Sequence, residues 1–133
     1  MGKCPSRVSK QSISIAKRAL RIISNSSYLS ASKPLFEKYN TLNVFNMYKK
    51  EVAIFMYKYK HGMLPKSFIG IFTNHRDVHT YNTRNKDNYQ LGMHKTKGLL
   101  ITGPKLWNSL PNYIKNATSI NQLKRKITTY LQL

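Results

Sequence analysis

Apolar positions in residues 12–24 recur every three or four places. Ile13, Ala16, Leu20 and Ile23 mark one line, and Ile15, Ala19 and Ile22 widen it. This spacing predicts an amphipathic helix, with Lys17, Arg18 and Arg21 away from the centre of the apolar face. Such a basic face serves either as a solvated wall or as a phosphate-contacting surface. A polar break follows at Asn25, Ser26, Ser27 and Tyr28. Pro34 then suits the first turn of a short helix whose apolar contacts are Leu35, Phe36 and Tyr39. Asn43 is placed to cap a longer helix from Val44 to Tyr59 or Lys60. Residues 52–57 of that helix are apolar all round, which predicts the most buried element of the fold. Gly62 and Pro65 supply the stop.

The second half alternates clear and unclear patterns. Residues 65–72 predict another short helix through Phe68, Ile69 and Phe72. Residues 73–97 are polar, lack periodicity and are long for a loop in a compact domain. Within them, residues 78–81 are a short-strand candidate. Gly98 precedes Leu99, Leu100, Ile101 and Thr102, the strongest strand candidate of the chain. A short apolar helix around Trp107 is expected next, with Pro104 in its first turn and Pro111 ending it. Pro111 in turn opens a further turn through Tyr113 and Ile114. Ser119 and Gln122 match a capping box for a last helix reaching Leu131. Ile120, Leu123, Ile127, Tyr130 and Leu131 form its apolar stripe, and Lys124, Arg125 and Lys126 its wet side.

The expected fold is therefore mainly α. It is a small helical domain with several short helices, a long basic loop and at most one short β element. The expected organisation is an unrelated or disordered extension (1–11), a helical subdomain (12–72), a basic polar loop (73–98), and the Trp107 helix with the C-terminal helix (99–133).

Composition changes this picture mainly through charge. The 133 residues suffice for one domain with a modest core, and a hydrophobic fraction of 41% argues against disorder. There are 23 Lys and Arg against 4 Asp and Glu, a net charge of +19. That charge divides nearly equally between residues 1–60 and 61–133, so it belongs to the predicted elements and not to a tail. Polyanions relieve such self-repulsion, which implies nucleic acid or an anionic membrane surface, with a merely basic soluble domain as the alternative; RNA or DNA is the expected partner. No apolar run is long enough to span a bilayer, and no secretory signal opens the chain, so a cytoplasmic or nuclear protein without a membrane partner is expected. Cys4 is the only cysteine, which rules out an internal disulfide and a zinc knuckle formed by this chain alone.

Catalytic chemistry finds little to work with. The acids are Glu37, Glu51, Asp77 and Asp87, and no two are adjacent. Two-metal polymerases and nucleases need clustered carboxylates, because the hard cation wants several oxygen ligands. No glycine-rich phosphate loop and no Gly-x-Ser-x-Gly elbow is present. His75 and His79 have a metal-binding spacing, but their segment does not read as helical and no third ligand completes a site. No catalytic residue, metal, cofactor or small-molecule substrate is expected. Phosphate contact is what the residues allow. Arg76, Arg84, Lys86, Lys95 and Lys97 punctuate the long loop, with Tyr81 and Tyr89 between them. Charge can follow a nucleic-acid backbone while rings stack on bases. The candidate phosphate contacts are Lys17, Arg18, Arg21, Arg84, Lys105, Lys124, Arg125 and Lys126.

Several segments resemble one family in order and spacing. They are Ala16, Lys17, Arg18, Ala19, Leu20, Arg21, Ile22 and Ile23; then Lys33, Pro34, Leu35 and Phe36; then Phe55, Met56, Tyr57, Lys58 and Tyr59; then Tyr81, Asn82, Thr83, Arg84 and Asn85. Gly103, Pro104, Lys105, Leu106, Trp107, Asn108, Ser109, Leu110 and Pro111 follow, before the closing helix. Together they resemble the region after the palm in reverse transcriptases of LINE-type, jockey-like non-LTR retrotransposons. The resemblance covers roughly residue 15 to the end. It implies a thumb-like segment and the region beyond it, non-catalytic in itself, gripping template and primer beside a separate or missing polymerase core. The catalytic aspartates of that family belong to the palm, which has no counterpart here. Residues 1–11 depart from the family, and the stretch between Arg84 and Gly103 is shorter than usual. Both departures are expected of a truncated genomic copy. The alternative expectations are a free-standing basic ribonucleoprotein component and a relic without function.

Overall fold

The helix boundaries follow from caps that the side chains supply. In the computed structural model, which describes residues 9–81, 84–91 and 98–133, Ser9 opens α1 (Lys10–Ile23) by accepting a hydrogen bond from the Ser12 amide at 3.0 Å. The helix thus begins two residues before its apolar pattern does, inside the expected extension. Residues 1–8 lie outside the described residues. After α2 (Ser32–Lys38), the Asn43 side chain accepts from the Asn46 amide at 2.9 Å and starts α3 (Val44–Lys60).

The first three helices end by one device. Asn25, Asn40 and Gly62 take positive φ values of 51°, 50° and 65°. The next amide in each case reaches back to a carbonyl in the last turn of the helix. Ser26 bonds to Arg21, Thr41 to Phe36 and Met63 to Lys58, each at 2.9 Å. Asparagine and glycine are the residues that enter the left-handed region most cheaply, so these stops are written in the sequence.

Four further α-helices complete the described residues, which contain no strand: α4 (His75–Val78), α5 (Leu99–Ser109), α6 (Asn112–Lys115) and α7 (Ile120–Gln132). The mainly α expectation holds. Its one β feature is an isolated antiparallel bridge between Asn74 and Tyr89.

Three local expectations are corrected. Residues 65–72 form only a 3₁₀ turn, Lys66–Phe68, because Gly70 at φ 78° turns the chain before a helix can grow. Phe68 and Phe72 still reach the core, each edge-on to Phe55, but not along a helical face. Residues 78–81 are no strand, since Val78 ends α4 and no ladder follows. Leu99, Leu100, Ile101 and Thr102 are the first turn of α5. Pro104 consequently lies inside that helix and not in its first turn. The ring offers no amide to the carbonyl four residues back, a loss of about 3 kcal/mol in an ordinary helix. Burial offsets it here, because Gly103, Pro104 and Trp107 all face the core. A Cβ at Gly103 would come within 2.8 Å of the Met56 sulfur, so α5 and α3 approach through the missing side chain.

The core forms where α3, α5, α6 and α7 meet. Val52, Ala53, Ile54, Met56 and Tyr57 are buried, as the continuous apolar run predicts. Trp107, Ile114, Leu123 and Ile127 close on them, none more than 1% exposed. The polar tips inside this core are satisfied. Tyr57 donates to the Ala117 carbonyl, and the Tyr59 hydroxyl both accepts from and donates to the Phe72 backbone, all at 3.1 Å. Helix α1 packs mainly on α2. Only Leu20 of its apolar face is buried, and Ile15, Ile22 and Ile23 are exposed.

Candidate nucleic-acid interface

The capped helices and their polar outer faces set where the cations stand. Lys17 and Arg18 are exposed on α1, Lys105 on α5, and Lys124 and Arg125 on α7. Two predicted contacts have structural partners. Arg21 donates through Nε to the Ser30 carbonyl at 2.9 Å and lies 5.8 Å from the Tyr28 ring centre, holding the turn between α1 and α2. Lys126 donates to the Tyr113 carbonyl at 2.8 Å. Lys17 shares a cleft with Lys33, Glu37 and apolar Phe36, Val44 and Leu131. Gln122 departs from a full capping box: its carbonyl accepts from the Thr118 amide, while Ser119 alone caps the helix.

The described part of the long basic loop is more organised than its composition suggests. Gln90 donates to the Thr73 carbonyl at 2.8 Å, and His75 to that of Asn88 at 3.0 Å, drawing Thr73 and Gln90 together. The expectation that this segment is not helical is corrected: Asn74 and Asp77 cap α4, so His75 and His79 bracket a helical turn. Their rings stack 6.2 Å apart. No group of three or more potential metal ligands occurs among the described residues. Arg76 and Asp87 meet at 2.6 Å, the only ion pair among the described residues. Lys95 and Lys97 lie outside the described residues.

The loop's two tyrosines part company. Tyr81 is exposed, but Tyr89 is 2% exposed and packs edge-on to Tyr59. Tyr89 is a core residue and no platform for a base. Asn108 of α5 holds it in place. The Asn108 side chain accepts from the Tyr89 amide at 2.9 Å and donates to the Tyr89 carbonyl at 2.8 Å. Burial, together with the neighbouring Tyr59, pushes the Tyr89 hydroxyl from 10 up to about 12. The fold therefore favours the neutral phenol. That contribution is whole below pH 10 and fades as pH climbs toward 12. Thermal melts of the parent should weaken across this window, and Tyr89→Phe should flatten that part of the profile. An unchanged alkaline slope in the variant would dismiss Tyr89 as its source.

Arg84 is the predicted contact that tertiary structure places beside two further cations. It lines a cleft of about 450 Å³ with Lys60 from the end of α3 and Lys115 from α6. Trp107 forms part of the wall, and asparagines supply much of the rest. The Lys115 ammonium donates to the Asn108 carbonyl at 3.1 Å and to the Asn88 side chain at 3.4 Å. Its pKa is lowered, first by desolvation, then by Lys60, with Asp87 opposing. Lys60 and Lys115 were not among the expected contacts, because they lie 55 positions apart on separate helices and nothing along the chain pairs them with Arg84. The recurring asparagines around Trp107 were the available signal.

The four acids stay apart. Glu37 and Glu51 are exposed on different helices, Asp77 caps α4 and Asp87 pairs with Arg76. No helix among the described residues is long and apolar enough to cross a membrane. The chain matches no family model, no curated protein and no solved structure.

Proposed function

We propose that this chain is a non-catalytic, nucleic-acid-gripping segment from the C-terminal region of a LINE-type, jockey-like reverse transcriptase. In that setting the RNA-directed DNA polymerase chemistry belongs to a separate or missing core. The observation that carries the binding part is uncompensated charge. The net charge is +19, and among the described residues no charged side chain is buried and one ion pair occurs. Cations held outward without carboxylate partners keep their full attraction for phosphates. The retrotransposon assignment rests on the resemblance alone. The exposed Ile15, Ile22 and Ile23 of α1 offer apolar surface suited to a polymerase core.

Binding of this kind ignores base sequence and depends steeply on salt. Four phosphate contacts on duplex DNA would weaken affinity about 100-fold between about 50 and 200 mM salt. A labelled duplex and a single strand of mixed sequence, titrated by fluorescence anisotropy, measure this slope. Affinity that stays constant over that range would sink the proposal. Glutamine at Lys17, Arg18, Lys124 and Arg125 together should lower the slope without changing the melt.

A further inference from the structure

The cleft between residues 84–88 and the α5–α6 junction gathers three cations and several asparagines, whereas the cleft at Lys17 and Lys33 holds Glu37 and apolar walls. Lys60, Arg84 and Lys115 converge on it from three parts of the chain. The single carboxylate at its edge, Asp87, is engaged by Arg76 from outside. Lys115 is half-buried and tethered by two acceptors, so its ammonium is held in place and does not sweep through solvent. Asn85, Asn112 and Asn116 also line the cleft, and their side chains make no hydrogen bond among the described residues. Amide N–H groups and fixed cations around one hollow are what a tetrahedral oxyanion requires: several donors from different directions, with charge to match.

We propose that this cleft binds one phosphate group of a nucleotide, with Lys115 and Arg84 donating to its oxygens, Lys60 adding charge, and the asparagine amides completing the shell. The inference deepens the nucleic-acid reading by naming a discrete site within it. The fall in the Lys115 pKa through burial and Lys60 is consistent with a positive hollow that an anion would relieve. A cleft of about 450 Å³ has room for a nucleoside monophosphate, so the phosphate can arrive on a strand or on a free nucleotide.

Trp107 is the only tryptophan and forms part of the cleft wall, so its emission reports on this site. The full chain is titrated with inorganic phosphate, a nucleoside monophosphate, and a short oligonucleotide with or without a 5′-phosphate. Saturable change in Trp107 emission is expected with the phosphorylated ligands. The 5′-phosphate should tighten oligonucleotide binding about tenfold, the worth of one good charge-assisted contact. If the strand needs no terminal phosphate, but mononucleotide competes for the same signal, the source is an internal phosphodiester. Arg84→Gln and Lys60→Gln, both at exposed positions, should each remove most of the emission change. Lys115→Met should do the same, provided its melt matches the parent. Unsaturable emission with every ligand, or unchanged responses in the Arg84 and Lys60 variants, overturns the site. Salt-dependent duplex binding that survives in those variants would leave the broader reading standing without it. Loss of duplex binding in the parent, with phosphate still saturating Trp107, would retire the broader reading and keep the site.

Discussion

Trp107→Ala will cost the domain about 3–5 kcal/mol, the range for deleting a large buried aromatic. Trp107 is 1% exposed and sits with Tyr57, Ile114 and Leu123 at the junction of four helices. Those helices are short and closely packed around it, so the hole cannot collapse without moving α5. A domain of this size holds only about 5–15 kcal/mol in total. The melting temperature should fall by about 10–25 °C, or the cooperative transition should vanish. A variant that melts within a few degrees of the parent, yet no longer binds nucleic acid, would move Trp107 from the core to the binding surface.

Asn108→Ala is expected to have the next largest effect, about 2–4 kcal/mol, because it leaves the Tyr89 amide and carbonyl without their partner. Both groups are held by the Asn108 side chain at under 3 Å, and Tyr89 is buried beneath them. Hydrogen exchange at the Tyr89 amide should rise before global unfolding does, since the contact ties a loop to α5 and not helix to helix. Equal protection of that amide in parent and variant would show that the bridge to Asn74 suffices to hold the loop. Asn108→Asp is a useful companion. It keeps an acceptor for the Tyr89 amide but faces the Tyr89 carbonyl with a second acceptor, so it should recover only part of the loss.

Much of the fold was legible because its signals are local. Ser119 and Asn43 are caps whose side chains reach amides three residues on, and short polar side chains do this wherever a helix begins. Asn25, Asn40 and Gly62 end helices for an equally local reason, the low cost of positive φ. The continuous apolar run at 52–57 required a buried helix, whatever surrounded it. The misreading of residues 99–102 has a physical cause as well. Four apolar or β-branched residues after a glycine fit a strand as well as a helical turn when viewed alone. Only the longer series Leu99, Gly103, Leu106, Trp107 and Leu110 shows the helical period, and Pro104 hides it by suggesting a start where the helix is already under way.

The candidate site was legible in kind but not in place. Charge in excess of any internal need pointed to phosphates, and Arg84 was within reach of that inference. Its companions were not, since Lys60 ends one helix and Lys115 ends another. Their pattern exists only across the packed surface. Tyr89 shows the same limit from the other side. An aromatic among polar residues reads as exposed, and its burial depends on an asparagine 19 positions later that satisfies its backbone.

The sequence by itself determined α3 and α7 with their Asn43 and Ser119 caps, the apolar face of α1 and the sign of the surface, because each rests on interactions within a turn or two of chain. Tertiary structure alone decided which residues share the core and which cations share a cleft. Those depend on how the helices pack, and packing is settled by the fit of Gly103 against Met56 and of Trp107 among its neighbours. Short-range hydrogen bonds can be read along a chain, whereas convergence in space is a property of the assembled core.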